Sequence, residues 1–222
     1  MRAALALAVL AFAVPAGVRA GGRRAAQEPQ RTSVLDNATA TVTKVQLAPG
    51  AAESVHVHAF PLLIVQISGG TVNISDREMV RIGSRPGEVW FIPAGTRHAA
   101  ANRSNAGVEL LAIAIKPDRP PAPDAPATEA PPGISRATLI DNDDVRVVRV
   151  RFAPDGREPI HSHPNDLITV QITEAQVDIL NGTAHSTLRC EPGFVQFLPR
   201  NVSHAFASAD TSPFELLSVA IK

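Results

Sequence analysis

The sequence is internally repeated, and the length of the repeat limits the folds that the chain can adopt. VELLAIAIK at 108–116 returns as FELLSVAIK at 214–222, and LDNATATVTKVQLAPG at 35–50 returns as IDNDDVRVVRVRFAPDG at 140–156. The matching segments lie 105 or 106 residues apart. A unit of this length is a domain rather than the short repeat of a solenoid. The sequence therefore predicts two related domains in tandem.

A proline-rich stretch separates the two copies. Residues 116–135 read KPDRPPAPDAPATEAPPGIS. This proline content favours an extended, semi-rigid linker that has no core of its own. We place the two domains at 32–116 and 134–222, with the linker at 117–133.

The N-terminal segment has the pattern of an export signal. Arg2 supplies a positive charge, residues 3–14 are apolar but too few to span a bilayer, and residues 18–20 fit a cleavage site. A core helix is the less favoured alternative, because GGRR at 21–24 interrupts the apolar pattern. We expect a signal peptide at 1–20 and an exported mature protein, secreted or periplasmic, without membrane association after cleavage.

Composition narrows the classes of partner and chemistry. The formal net charge at pH 7 is +0, which gives no reason to expect nucleic acid or an anionic membrane surface as a partner. Cys190 is the only cysteine, so no disulfide forms within the chain. The chain has no tyrosine, so a catalytic phenol is excluded. A small-molecule ligand remains the expected partner, and no oligomeric state is predicted.

Both copies have strand-like patterns. TATVTKVQL, EVWFIP, DVRVVRVRF and FVQFLP carry β-branched and aromatic residues in partial alternation. Proline and glycine recur at short intervals between them, and no amphipathic helix pattern appears. Many short strands in fewer than about ninety residues predict an all-β chain made of small antiparallel sandwiches or barrels.

Histidines carry the strongest chemical signal. His56 and His58 stand two residues apart in the first copy, and in a strand such residues face the same way. GEVWFIPAGTRHAAAN at 87–102 then supplies His98 after a predicted tight turn that contains Gly95. The second copy repeats this arrangement with His161, His163 and His204, and it has Asn201 in place of the turn glycine. Asparagine tolerates the left-handed backbone that the turn requires.

These spacings resemble the two motifs of the cupin superfamily. Gly-x5-His-x-His at 50–58 and Gly-x5-Pro-x-Gly-x2-His-x3-Asn at 87–102 match the motifs in the first copy. The second copy matches closely, with departures at Asn201 and Ser208. The resemblance implies two tandem jelly-roll-type cupin β-barrels joined by the Pro-rich linker, a bicupin.

The resemblance also implies a metal site in each barrel. The family usually holds a divalent metal through His, His, Glu and His, which implies the ligands His56, His58, His98, His161, His163 and His204. The glutamate position falls on Leu62 and Leu167, so both copies lack the carboxylate. Three neutral imidazoles shift the preference from Mn²⁺ towards Zn²⁺, Fe²⁺, Cu²⁺ or Ni²⁺. Some cupin dioxygenases, such as the thiol dioxygenases, are similar in using three histidines and iron.

Other polar residues are candidates for contacts with a substrate. Gln66 and Gln171 lie eight residues after the second histidine of each pair and share strand parity with Leu62 and Leu167. Either they bind a substrate or a metal-bound water, or they bond to a neighbouring strand inside the barrel. Asp166 can replace the missing carboxylate only if its strand contains a bulge.

Charged residues near the motifs are weaker candidates. Glu53 and Glu158 have the opposite strand parity to the histidine pairs and are interpreted as rim or turn residues. Arg81, Arg97 and Arg200 are candidates for steering an anionic substrate, although solvated surface arginine is the commoner case.

The functional hypothesis is an exported bicupin metalloprotein with up to two three-histidine centres. As an enzyme it would be a small-molecule dioxygenase, hydrolase or isomerase, most simply a metal-dependent oxidoreductase. The alternatives are a non-catalytic module that binds metal or a small ligand, and a metal-free structural bicupin.

Overall fold

The computed structural model describes residues 27–76, 80–117, 130–209 and 212–222, and within these ranges the chain forms strands and no helix. It therefore contains no described helix that is long and apolar enough to cross a membrane. The predicted signal peptide at 1–20 lies outside the described residues, as does most of the predicted linker. The prediction of an all-β chain is confirmed.

Each half of the chain contributes eight strands. The strands of the N-terminal half are β1 Gln30–Asp36, β2 Ala40–Leu47, β3 Leu62–Gln66, β4 Val72–Ser75, β5 Val80–Gly83, β6 Val89–Ile92, β7 Ala99–Asn102 and β8 Val108–Ile115. Those of the C-terminal half are β9 Ile134–Asp141, β10 Val145–Phe152, β11 Asp166–Gln171, β12 Ala175–Asn181, β13 Ala184–Cys190, β14 Val195–Leu198, β15 His204–Ser208 and β16 Phe214–Ile221.

The two halves have the same topology. In the N-terminal half a five-stranded sheet has the order β1-β2-β8-β3-β6, and a three-stranded sheet has the order β5-β4-β7. The C-terminal half repeats both orders with every strand advanced by eight, as β9-β10-β16-β11-β14 and β13-β12-β15. All pairings within these sheets are antiparallel. The sequence repeat is therefore a structural duplication of one antiparallel β-barrel.

Each barrel has its own core between its two sheets. In the N-terminal barrel, Leu62 and Ile64 of β3 pack with Ile74 of β4 and Ala100 of β7. The C-terminal barrel has an equivalent core, in which Phe152 stacks on Phe214 with ring centroids 4.3 Å apart. Of the alternating buried residues of β2 and β10, only those in the second half of each strand face these barrel cores.

A third core joins the barrels. The outer faces of the two five-stranded sheets pack against each other, and none of their core side chains is more than 5% exposed. The N-terminal sheet contributes Ala40, Val42, Leu63, Val65, Ile67, Leu111, Ile113 and Ile115, and the C-terminal sheet contributes Val145, Val147, Ile168, Val170, Ile172, Leu217, Val219 and Ile221. Strands β3 and β11 are therefore buried on both faces, which explains the continuous apolar run LLIV at the start of β3.

Polar contacts at the edge of this third core also join the barrels. The carboxylate of Asp166 accepts a 2.9 Å hydrogen bond from the Thr39 hydroxyl of the other barrel and further bonds from Arg200. Arg149 donates a 2.7 Å bond to the Gly87 carbonyl of the other barrel. Asp166 pairs in regular register with Ile221, so its strand has no bulge that would turn the carboxylate towards the histidines.

The core between the barrels predicts a large cost for truncating Leu63. Leu63 is 0% exposed there. We expect Leu63→Ala to lower the free energy of unfolding by about 2 to 5 kcal/mol, since it removes buried contacts and leaves a cavity. Urea unfolding followed by fluorescence of Trp90 measures this change. Ile82→Thr, at a side chain that is 65% exposed, is the control and should change stability by about 0.5 kcal/mol or less. Similar small effects from both variants would contradict the shared core.

Candidate metal centres

Backbone pairing brings the three histidines of each barrel together. His56 and His98 form an isolated antiparallel bridge, with both N–H···O distances at 2.9 Å. His161 and His204 form the same bridge, at 3.0 and 2.8 Å. The His-x-His pair of each barrel thus lies in an extended segment with a single bridge rather than in a full strand. The prediction that these side chains face one way still holds, because the ring of His58 lies beside that of His56.

The two histidine trios have nearly the same geometry. In the N-terminal barrel the ring centroids lie 4.9, 4.5 and 5.0 Å apart, and in the C-terminal barrel the corresponding distances are 4.8, 4.5 and 5.1 Å. In each trio one ring nitrogen per histidine lies within 4.8 Å of the other two. The six histidines predicted as metal ligands therefore form two clusters, each compact enough to surround one ion.

A left-handed turn positions the third histidine of each trio. Gly95 has a φ of 73° and donates its N–H to the His58 carbonyl at 2.9 Å. Asn201 has a φ of 61° and donates its N–H to the His163 carbonyl at 2.7 Å. The turn requires positive φ, and glycine and asparagine are the residues that tolerate it best. The turn predicted in both copies is confirmed.

Backbone carbonyls fix the tautomer of two histidines in each trio. The Nδ1 atoms of His56 and His98 lie 2.8 and 3.1 Å from backbone carbonyl oxygens, and those of His161 and His204 lie at the same two distances from theirs. A carbonyl oxygen only accepts hydrogen bonds, so Nδ1 carries the proton and the Nε2 lone pair remains for a ligand. The Nε2 atoms of His56 and His58 are 3.1 Å apart, a separation that a shared cation between them favours.

Burial favours the neutral form of two imidazoles in each trio. Loss of solvation lowers the pKa of His58 from 6.5 to about 4, with further lowering by His98, His56 and Arg31. The same causes, with His161, His204 and Arg136 as the neighbours, lower the pKa of His163 to about 4. Burial also lowers the pKa of His98 and His204. Neutral imidazole is the form that binds a metal, so the lowered pKa of these four histidines favours metal binding at neutral pH.

No carboxylate joins either trio among the described residues. Leu62 and Leu167, which stand at the fourth-ligand position implied by the motif resemblance, are both buried in the barrel cores. The donor set is therefore three neutral nitrogens, which suits Zn²⁺, Fe²⁺, Cu²⁺ or Ni²⁺ better than Mn²⁺. These residues fit a divalent transition metal with open coordination positions.

Each trio opens into a cavity, and the two cavities differ in size. The N-terminal cavity has a volume of about 180 Å³ and the C-terminal cavity about 360 Å³. Besides the histidines, the leucine at the glutamate position lines each cavity, Leu62 in the N-terminal barrel and Leu167 in the C-terminal barrel. The C-terminal cavity is large enough for a small organic ligand beside the histidines.

An arginine–glutamate pair lines each cavity, and sequence reasoning missed its role. Arg31 of edge strand β1 pairs with Glu53, and Arg136 of edge strand β9 pairs with Glu158 at 2.9 Å. The glutamate side chains are only 10% and 7% exposed. Both arginines and both glutamates recur at an offset of 105 residues, the same as for the first histidine. That shared offset was the signal that the two pairs belong to the duplicated site.

The structure does not bring the two predicted glutamines to the histidines. Gln66 is 0% exposed and donates from Nε2 to the carbonyls of Ser68 and Gly70, both at 2.9 Å. Gln171 donates to the Thr173 carbonyl at 2.7 Å. Neither glutamine lines a histidine cavity. Each side chain bonds to the loop after its own strand, so this geometry lends the substrate-binding role no support.

The predicted steering arginines also lie outside both cavities. Arg81 lies near Asp76, and Arg200 bonds to Asp166 at the contact between the barrels. Arg97 is exposed. The cavities are lined instead by Arg31 and Arg136 of edge strands β1 and β9, and the C-terminal cavity also by Arg146 of β10.

Solved structures with a similar fold include a cupin 2 conserved barrel domain protein from Leptotrichia buccalis, at 16% identity, with 90% of this chain and 91% of that chain covered and a TM-score of 0.60. Salicylate 1,2-dioxygenase from Pseudaminobacter salicylatoxidans is 11% identical, with 88% of this chain and 77% of that chain covered and a TM-score of 0.69. A formate complex of oxalate decarboxylase from Lactobacillus farciminis is 16% identical, with 89% of this chain and 82% of that chain covered and a TM-score of 0.65. The sequence matches no protein-family model and no curated protein. The chain therefore has the cupin fold, in two tandem barrels.

The buried histidines predict that the metal-free protein loses stability in mild acid. The pKa of His58 and His163 is about 4 in the folded chain against an ordinary 6.5. Between these values the unfolded chain binds more protons, so stability is lost as the pH falls from 6.5 towards 4. Urea unfolding of chelator-treated protein at pH 7.5 and 4.5 measures the loss. The double variant His58→Asn/His163→Asn should show a smaller pH dependence, and an unchanged dependence would contradict the assignment.

Proposed function

We propose that this chain is an exported metal-dependent oxidoreductase of the dioxygenase type that acts on a small organic molecule. Each barrel would hold one divalent transition metal through three histidines. The observation that carries the proposal is that six of the seven histidines form two matching trios, each opening into a cavity. Packing alone gives no reason for both barrels to keep this arrangement.

The donor set favours oxidation chemistry over the reaction of the decarboxylase relative. The metal sites of oxalate decarboxylases look like manganese sites in which the glutamate is a ligand. In this chain Leu62 and Leu167 stand at the position of that glutamate. The salicylate 1,2-dioxygenase relative shares the fold, which supports a dioxygenase by analogy. A bound iron or copper ion would supply Lewis acidity and redox chemistry with O₂. Dioxygenation places both oxygen atoms in the product and needs no separate reductant.

The protein residues around the C-terminal trio would bind and orient the substrate. Leu167 and Leu198 line the cavity with apolar surface and limit the entry of water. Glu158 is the one carboxylate that lines this cavity among the described residues, and Arg136 holds it in place. Glu158 would therefore accept a hydrogen bond from a substrate hydroxyl and orient it beside the imidazoles of the trio.

The proposal predicts two metal ions per chain. We expect elemental analysis of the purified protein to find close to two equivalents of transition metal. His98→Ala and His204→Ala should each retain about one equivalent, because each removes one of three ligands from a single trio. His185→Ala, at a β13 histidine outside both trios, is the matched control and should retain both ions. Protein that stays metal-free after incubation with Zn²⁺, Fe²⁺, Cu²⁺ and Ni²⁺ would refute the proposal.

The larger cavity predicts where catalysis occurs. Iron(II)-loaded protein should consume O₂ when small hydroxylated acids, including salicylate, are added. His204→Ala should reduce the uptake to the rate without organic acid, whereas His98→Ala should retain most of it, because the C-terminal cavity has twice the volume. An oxygen electrode, with product identification by mass spectrometry, measures both rates. Metal-loaded protein without uptake would indicate a non-catalytic binding module instead.

A further inference from the structure

The two cavities differ at several lining positions, one of which is a cross-strand pair that is polar in only one barrel. In the N-terminal barrel, Ile64 of β3 faces Ala112 of β8 in register, and both line the cavity. At the equivalent positions of the C-terminal barrel, Thr169 of β11 faces Ser218 of β16, and both line the larger cavity. An apolar pair in one barrel is therefore replaced by two adjacent hydroxyl groups in the other.

The two hydroxyl groups lack protein partners. The Thr169 residue is 6% exposed, so it is buried except where it borders the cavity. Within the part of the chain that the structure describes, the side chains of Thr169 and Ser218 make no hydrogen bond to another protein group. Each hydroxyl borders the cavity and can both donate and accept a hydrogen bond. The pair is thus available to a polar ligand.

The wall of the C-terminal cavity also carries more positive charge. Arg136 and Arg146 both line it, against the single carboxylate of Glu158. The N-terminal cavity has one arginine and one glutamate in its lining. Arg146 also bonds to Asp141, which lies outside the lining and partly offsets its charge. The excess of one positive charge, beside three imidazoles, favours a negatively charged ligand.

Another exchange between the cavities goes the other way. Thr43 lines the N-terminal cavity, and Val148 occupies its place in the C-terminal one. The N-terminal cavity therefore offers the hydroxyl of Thr43 in a volume of about 180 Å³, half that of the C-terminal cavity. The two barrels have therefore diverged in both the size and the polarity of their cavities.

We propose that the C-terminal cavity selectively binds a small hydroxylated carboxylate, with Thr169 and Ser218 as the residues that recognise its hydroxyl group. Arg136 and Arg146 supply the charge that favours the carboxylate. The N-terminal cavity, with Ile64 and Ala112, rejects the same ligand. That this ligand is a substrate rests on the proposed oxidoreductase function. That the cavity binds the ligand depends only on the cavity.

Calorimetry on zinc-loaded protein tests this specificity without turnover. The probes are malate, succinate and dimethyl succinate, which differ in one hydroxyl group or in charge. We expect malate to bind once per chain and more tightly than succinate, and the uncharged ester not to bind. Thr169→Val/Ser218→Ala, which nearly keeps the cavity shape, should weaken malate binding by about 10- to 30-fold and succinate binding much less.

Two control variants separate recognition from changes in packing. Thr169→Ser keeps a hydroxyl group and should retain most of the preference for malate. Ile64→Val makes a similar change of volume in the other barrel and should leave malate binding unchanged. All variants should keep two zinc ions per chain, since none of these residues belongs to a histidine trio.

Three results would overturn the inference. One is equal weakening of malate and succinate in the double variant, and another is loss of malate binding in Ile64→Val. The third is absence of malate binding in protein that holds two zinc ions, which leaves the proposed metal centres intact. If the protein takes up no zinc, the proposed function fails, and malate titration of the metal-free protein still decides whether the hydroxyl pair recognises the ligand.

Discussion

The packing of the two large sheets against each other is the contact on which the rest of the structure depends. Strands β3 and β11 are buried on both faces because one face lies in a barrel core and the other in the core between the barrels. Leu63 and Val65 therefore hold β3 from behind while Leu62 and Ile64 shape the cavity in front. A cavity wall supported in this way keeps its shape, which a site with geometrically matched imidazoles requires.

Duplication places two copies of the site on opposite sides of this shared core. The copies are alike around the histidines and differ elsewhere in the cavity walls. The trios, the turns before the third histidine and the arginine–glutamate pairs are the same in both barrels. The differences lie elsewhere on the strands that line the cavities, and they include the pair Ile64–Ala112 against Thr169–Ser218 and the added Arg146. The parts that hold an ion have therefore stayed alike, while the surface that would contact an organic ligand has changed in size and polarity.

The sequence predicted the histidine trios because short-range patterns determine them. A two-residue spacing puts His56 and His58 on one side, and the left-handed turn at Gly95 directs the chain to His98. Strand parity was a poorer guide for Gln66, since it gives the face of a strand but not the depth along the barrel. Arg31 reaches the cavity through the pairing of edge strand β1 with β2, and its ion pair with Glu53, 22 residues away, follows no local sequence pattern. Its recurrence at an offset of 105 residues was the only signal available.

The missing glutamate and the arginine–glutamate pair together explain the chemistry that the cavities favour. In each barrel the position of the fourth ligand is apolar, while a carboxylate lies nine residues earlier in sequence and is bound by arginine. Arginine neutralises that carboxylate and holds it in the wall, so a bound dication would keep its full charge. An uncompensated dication attracts an anion into its open positions. The larger C-terminal cavity adds a second arginine and two hydroxyl groups, so its charge and its hydrogen-bonding groups favour the same class of ligand.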